Sequence, residues 1–281
     1  MSEIGKIITD LQVNGISSTP KKGNRGRKGG AGPSDHRALT IEGKTVMVPV
    51  YNHVSKKSNY QLSEESDGQF ILQNSEDSNI KELSTTKEPN FYSLKTKDGI
   101  PYKSIALLHS KDVLATTILQ KCIRFRNREE SCQFCAIEQS LKNEQTIVRK
   151  TPDQIAEVAE AAVRLDGIKQ LVMTTGTPNT SDRGARIMAE AAKAVKAKVD
   201  IPIQGQCEPP DDPIWFQKMK DSGVDSLGMH LEVVEEEIRK KILPGKSEIS
   251  LERYYKSFEE SVAVFGSCLL YTSPSPRDVR S

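Results

Sequence analysis

The chain has 281 residues, 36% of them hydrophobic and 28% charged, with a formal net charge of +2. That balance suits a soluble globular protein with one large α/β domain or two smaller ones. It excludes a strong global preference for polyanions, and aromatics at only 5% argue against a stacking platform for single-stranded nucleic acid. No apolar run approaches the ~20 residues of a membrane span, and Met1-Ser-Glu-Ile-Gly-Lys6 lacks the apolar stretch of a secretory signal. Five cysteines, three of them clustered, do not make a disulfide framework. A reducing, cytoplasmic setting is expected.

Residues 18–37 are rich in Gly, Ser, Pro and basic side chains, with Lys21, Lys22, Arg25, Arg27 and Lys28 ahead of Gly29-Gly-Ala-Gly-Pro33. Two readings stand: a mobile surface loop, or a basic glycine-rich loop closing over an anionic ligand. Residues 40–104 read as short strands and turns. Thr45-Val-Met-Val-Pro-Val50 is β-branched, and Pro49 marks an edge strand. Ser63 to Glu88 is polar, with Phe70-Ile-Leu72 its clear apolar run. A small β-rich subdomain with a flexible hairpin is expected.

From about residue 105 strand and helix alternate, the pattern of a parallel sheet. Leu114–Leu119 is a buried strand. Thr151-Pro-Asp-Gln154 opens a helix with an N-cap, a proline at the first helical position and a capping box. Ile155, Val158, Ala159, Ala162 and Val163 form its apolar stripe, and Gly167 stops it. Further strands are expected at 168–175, 200–207 and 224–231, and further helices at 181–198, 213–223 and 250–265. Asp212 is the expected cap of the helix from Pro213. Arg239, Lys240, Lys241 and Lys246 read as a solvated face, one of them reaching a carboxylate. The last fourteen residues, from Cys268, break the pattern with Pro274 and Pro276.

Cys122, Cys132 and Cys135 stand together in Cys122-Ile-Arg-Phe-Arg-Asn-Arg-Glu-Glu-Ser-Cys132-Gln-Phe-Cys135. A structural zinc site wants four ligands, and no second Cys/His pair stands at suitable spacing. A Cys132–Cys135 disulfide leaves Cys122 unexplained. A [4Fe–4S] cluster on three thiolates accounts for all three and leaves one iron open. It also falls just after the first strand of a parallel array, where such folds place their chemistry.

With Phe134 between the last two cysteines, the set resembles the radical SAM superfamily, whose hallmark ends in Cys-x-aromatic-Cys. Nine residues separate the first two cysteines, where most of that superfamily has three. Gly30-Ala-Gly-Pro-Ser-Asp-His36, Cys132-Gln-Phe-Cys-Ala136 and Gln206-Cys-Glu-Pro-Pro-Asp211 resemble a radical SAM family encoded in nitrilase-associated gene clusters. Met229-His-Leu-Glu232, with Leu243-Pro-Gly245 downstream, is similar to lipoyl and biotin synthases without their Asn. The tail resembles sequencing-adapter read-through. The resemblance implies an α/β fold: a truncated partial parallel (βα) barrel of radical SAM type, with a small β-rich N-terminal subdomain. The expected divisions are 1–104, a core at 105–266 holding four βα units, and a non-native tail at 267–281. The fifth and sixth strands are expected to be missing, leaving apolar edges and an incomplete cofactor pocket.

By that resemblance Cys122, Cys132 and Cys135 bind the cluster, and the open iron takes S-adenosylmethionine for reductive cleavage and hydrogen abstraction from a small-molecule substrate. Phe134 would pack over the cofactor. Gly176 allows close backbone approach and Thr175 offers a hydroxyl. Gln204, Gln206 and Glu208 alternate on one strand face, as do His230 and Glu232 on the next. Polar groups there suit ligand hydrogen bonds, since unpaired buried ones cost ~1–3 kcal/mol each. Gln206, Glu208, His230 and Glu232 are therefore the expected cofactor or substrate contacts, with Cys207 a small core residue. The expected partner is an electron donor such as flavodoxin or ferredoxin, and the expected role is cofactor or secondary-metabolite biosynthesis. Two alternatives differ in class: a zinc-stabilised binding module, and a radical enzyme gripping RNA through Lys21–Lys28.

Overall fold

The computed structural model describes residues 2–17, 36–50, 54–64, 70–75, 80–85, 88–109, 111–125, 127, 129–266 and 269–270. The basic loop at 21–28, with the motif from Gly30 to Asp35, lies outside them. So do the centre of the expected hairpin and the tail beyond residue 270. Two units are distinguished. Among the described residues the first takes those up to Pro89 with Leu108–Lys111; the second takes Asn90–Leu107 and Asp112 onward.

The first unit holds helix α1 (Glu3–Asn14) and strands β1 (His36–Ile41), β2 (Lys44–Pro49), β3 (Tyr60–Glu64), β4 (Phe70–Asn74) and β5 (Ile80–Thr85). The strands form an antiparallel sheet in the order β2-β1-β5-β4-β3. The strand that Pro49 marked is therefore an edge strand, where a missing N–H leaves no ladder bond unmade. Leu11 and Ile16 pack with Leu39, Ile41, Val48 and Leu62. Gly15 ends α1 at φ 71°, where a Cβ would stand 2.3 Å from the Pro49 carbonyl oxygen.

The second unit opens with the one-turn helix α2 (Tyr102–Ile105), and the short strand β6 (Leu107–His109) follows across the unit boundary. Then come β7 (Val113–Thr117), the short helix α3 (Gln139–Lys142), α4 (Pro152–Asp166), β8 (Gln170–Thr174), α5 (Ala185–Lys196), β9 (Ile203–Gln206), α6 (Ile214–Asp221) and β10 (Ser226–Gly228). Helices α7 (Glu236–Ile242) and α8 (Leu251–Phe265) precede β11 (Leu269–Leu270). Strands β7 to β11 are parallel neighbours in chain order. Helices α4, α5, α6 and α8 touch one another in the same order, one layer over the sheet. This is the α/β, barrel-like arrangement expected of the core.

Local chemistry accounts for these elements. All five side chains of β7 are buried, as a central parallel strand requires. Thr151 caps α4, Gln154 completes the capping box, and Gly167 ends the helix in the left-handed region at φ 65°. Asp212 accepts the Ile214 N–H at 2.9 Å, and Ser250 caps α8. Leu114, Leu171, Ile203 and Leu227 are wholly buried on successive strands; each contributes about 1.5–3 kcal/mol.

Three expectations change. The strand expected over 224–231 stops at Gly228, because residues 229–234 leave the ladder and Glu232 takes φ 61°. Arg239 and Lys246 are buried and not on a solvated face: both are held by backbone carbonyls. The sheet, expected to end with the fourth strand of the core, carries Leu269–Leu270 of the expected tail paired in parallel with Leu227–Gly228.

Candidate active site at the carboxyl ends of the strands

Register aligns the strand ends. Thr117 pairs with Thr174, Thr174 with Gln206, and Gln206 with Gly228. The residues just beyond this row therefore share one edge of the sheet: Leu119–Cys122, Thr175–Thr177, Cys207–Glu208 and Met229–Glu232. That edge is where parallel α/β folds collect ligands.

The chain leaving β7 is pinned before it reaches Cys122. Leu119 bridges Arg149, Gln120 donates its side-chain amide to the Ile137 carbonyl at 2.8 Å, and the Leu119 carbonyl accepts the Gly176 N–H at 2.9 Å. Gly176 is a true contact point: a Cβ there would lie 2.2 Å from the Lys121 carbonyl oxygen. Ile123 then donates its N–H to the Thr177 carbonyl at 2.9 Å. Thr175 turns its hydroxyl onto the Gly176 carbonyl at 2.8 Å.

Cys122, Cys132 and Cys135 are free thiols, each part-exposed. Burial first, opposed by the nearby Lys246 ammonium and helped by Cys135, Glu232 and Cys122, pushes Cys132 up to about 12. Cys135 is also raised, by burial first, with the Ile137 N–H pulling the other way. The three sulfurs thus sense one another, and a cationic metal centre would stabilise their thiolate forms. Among the described residues no three His, Cys, Asp or Glu side chains converge on a point that one metal ion could occupy. Three thiolates suit an iron–sulfur cluster, in which each takes a different iron and one iron stays open. Phe134 is half exposed between Cys132 and Cys135.

The other expected residues stand at the same edge. Gln204, Gln206 and Glu208 are half-buried on one face of β9 and its continuation, while Gly205 and Cys207 are buried on the other. The Glu208 carboxylate pairs side-on with Arg124, at 3.3 Å to Nε and 3.2 Å to a terminal nitrogen. Arg124 also reaches Glu248 at 3.2 Å and the Gly245 carbonyl. Lys246, buried, donates to both oxygens of Glu232 at 2.8 and 2.6 Å and to the His230 carbonyl. Burial favours neutral Lys246, but Tyr254, Glu232 and Glu208 outweigh it and hold the ammonium above its ordinary range. His230 is lowered, by burial first and then by Lys246, so its ring is neutral.

Sequence reasoning missed Arg124, Arg239, Gly245 and Tyr254. Arg124 sits in a run of charges that looks solvated, and nothing in the run sets it apart. Gly245 carried a signal, the Leu243-Pro-Gly245 turn, which spoke of similarity and not of contact. The Tyr254 hydroxyl is buried with no hydrogen-bond partner among the described residues.

A family profile described as Radical SAM superfamily matches residues 127–271. The chain belongs to the radical SAM superfamily, enzymes that use a [4Fe–4S] cluster and S-adenosylmethionine. It is 26% identical over 190 residues to bacteriochlorophyllide c C-7(1)-hydroxylase of Chlorobaculum limnaeum, covering 61% of this chain and 47% of that protein. The chain thus spans about half the length of that relative. The crystal structure of methylornithine synthase (PylB) aligns with a TM-score of 0.42 at 17% identity, over 64% of this chain and 52% of that one. Among the described residues no helix is long and apolar enough to cross a membrane.

Proposed function

We propose that Cys122, Cys132 and Cys135 hold the superfamily's [4Fe–4S] cluster, and that the edge formed by Thr175, Gly176, Gln206, Glu208, His230 and Glu232 binds S-adenosylmethionine and a small-molecule substrate. The carrying observation is that three free thiols share a loop whose entry is fixed, by the Gly176–Lys121 approach, at the carboxyl ends of the parallel strands. Held there, the cluster would supply the electron for reductive cleavage of S-adenosylmethionine, the chemistry that leads to hydrogen abstraction from a substrate.

The chain supplies position and charge. Gly176 admits backbone close to the site, leaving the Thr177 carbonyl to fix Ile123 beside Cys122. Burial raises the Glu232 carboxyl above its ordinary range, Lys246 opposes that shift, and the ammonium aims the carboxylate to accept hydrogen bonds from ligand hydroxyl or amino groups. Glu208 has its charge balanced by Arg124. Neutral His230 can donate or accept through its ring. Gln206 offers an uncharged amide in the same row.

Exposed Phe134 and Ile123 flank the thiols and suit the approach of a small electron donor such as flavodoxin or ferredoxin. The reading takes 105–266 as the catalytic core, 1–104 as an extension and 267–281 as a non-native tail. The likeness at Cys132–Ala136 and Gln206–Asp211 favours a relative encoded in nitrilase-associated clusters, acting in cofactor or secondary-metabolite synthesis. The test is anaerobic reconstitution with iron and sulfide, then reduction with S-adenosylmethionine present. Formation of 5′-deoxyadenosine, abolished in Cys132→Ala, supports the reading; a colourless zinc protein overturns it.

A further inference from the structure

Nine residues lie between Cys122 and Cys132. A loop of that length leaves its cysteines many relative positions unless something fixes it. Its own described hydrogen bonds are local: Phe125 to the Cys122 carbonyl, and Glu130 and Ser131 to the Asn127 carbonyl. None of these joins its two ends. The joining contacts come from a distant stretch of chain. Arg124, two residues after Cys122, donates to the Gly245 carbonyl, and the Gly245 N–H donates to the Glu130 carbonyl at 3.0 Å, two residues before Cys132. One peptide segment at Gly245 is therefore gripped by both arms of the loop.

A third anchor stands between the other two cysteines. Gln133 donates its backbone N–H to the Ile242 carbonyl at 2.9 Å and its side-chain amide to the Lys241 carbonyl at 2.6 Å. The stretch that receives these bonds is itself fixed. Buried Arg239 bonds the Ile249 and Lys246 carbonyls at 2.8 and 3.3 Å, and Leu243 is wholly buried. Lys246, next to Gly245, faces the other way and holds Glu232 and the His230 carbonyl.

Contact at Gly245 is too close for any side chain. A Cβ would meet the Glu130 carbonyl oxygen at 2.7 Å and the Glu130 Cβ at 3.1 Å. Yet Gly245 has ordinary right-handed backbone, φ −70° and ψ −29°, which any residue adopts. Its glycine serves the neighbouring loop and not its own conformation.

We propose that Lys241–Lys246 is a brace that sets the relative positions of the three thiols, with Gly245, Gln133 and Arg124 as positioning residues, and that through Lys246 it fixes Glu232 on the same base. This rests on the reading that the three cysteines hold the cluster. Long spacing between Cys122 and Cys132 is tolerated because closure is supplied from outside the loop.

The test compares full-chain Cys132→Ala, Gly245→Ala, Gly245→Val and Gln133→Ala after anaerobic reconstitution. It reads iron and sulfide per chain, the rate of iron loss to a chelator, the electron paramagnetic resonance spectrum of the reduced protein, and the thermal midpoint of the metal-free protein. Gly245→Val and Gln133→Ala are expected to lose iron about tenfold faster, in the range typical of outer-shell partners of metal ligands, with a changed spectrum. Gln133 is exposed, so its variant keeps the wild-type metal-free midpoint and decides the matter if Gly245→Val does not fold. Wild-type iron retention and spectrum in both Gly245→Ala and Gln133→Ala overturn the brace while leaving the cluster assignment standing. Undiminished iron in Cys132→Ala overturns the cluster assignment instead.

Discussion

Lys246 grips both carboxylate oxygens of Glu232, at 2.6 and 2.8 Å, while Glu232 itself sits in the left-handed backbone region at φ 61°. A non-glycine residue held there stores strain that its surroundings must offset. Both side chains are mostly removed from water. Replacing Lys246 by Met leaves a buried carboxylate without its cation, so the variant should lose about 3–5 kcal/mol in denaturant unfolding. Adding Glu232→Gln should recover part of that loss. A single variant as stable as the parent would mean that the pair contributes nothing net.

His230 makes stability depend on acid. Its folded value lies below the ordinary 6.5, through burial first and the Lys246 charge second. The unfolded chain therefore takes up a proton before the folded chain does. The contribution is fully present above 6.5 and is lost as pH falls through the folded value. Stability should decline on mild acidification, and His230→Gln should decline less. Parallel curves for the two proteins would remove His230 as the source.

Gly176→Ala tests the entry to the cysteine loop. The new methyl group would stand 2.2 Å from the Lys121 carbonyl oxygen, a backbone atom that cannot swing aside. A displaced backbone costs about 1–3 kcal/mol, and the shift is delivered next to Cys122. Reduced iron content together with a lower thermal midpoint is the expected result. Full iron content at an unchanged midpoint would show that the approach is not tight.

Thr151→Ala separates fold from site. It removes the side-chain acceptor for the Gln154 N–H at the start of α4, a bond made within the first turn of that helix. A lost N-cap costs about 1 kcal/mol. Iron content and 5′-deoxyadenosine yield per folded chain should stay at parental levels, and a fall in either would link α4 to the site.

The fold was legible wherever local rules act alone. Thr151, Pro152, Gln154 and Gly167 bracket α4 as read, because caps and stops need only neighbouring residues. Alternating burial along Ile203–Gln206 followed from period two. The strand meant to end at Leu231 stops at Gly228, and beyond it Glu232 is held by a tertiary contact from Lys246 that period two does not foresee. Arg239 and Lys246 resembled Lys240 and Lys241 in sequence, yet the first pair turns inward to carbonyls and the second stays exposed. The cysteines were legible as a group because thiol spacing is written locally. Arg124, Gly245 and Tyr254 were not, because what defines them is a partner far away in sequence.

That separation has a temporal side. Arg124 and Gly245 are 121 positions apart. At the usual pace of translation, roughly 5–20 residues per second, the thiols leave the ribosome on the order of ten seconds before the residue that steadies them. A nascent chain therefore exposes three unconstrained cysteines to whatever metal or oxidant it meets. On the proposed assignment, loading with iron and sulfur would follow synthesis of the fourth strand and the helix after it.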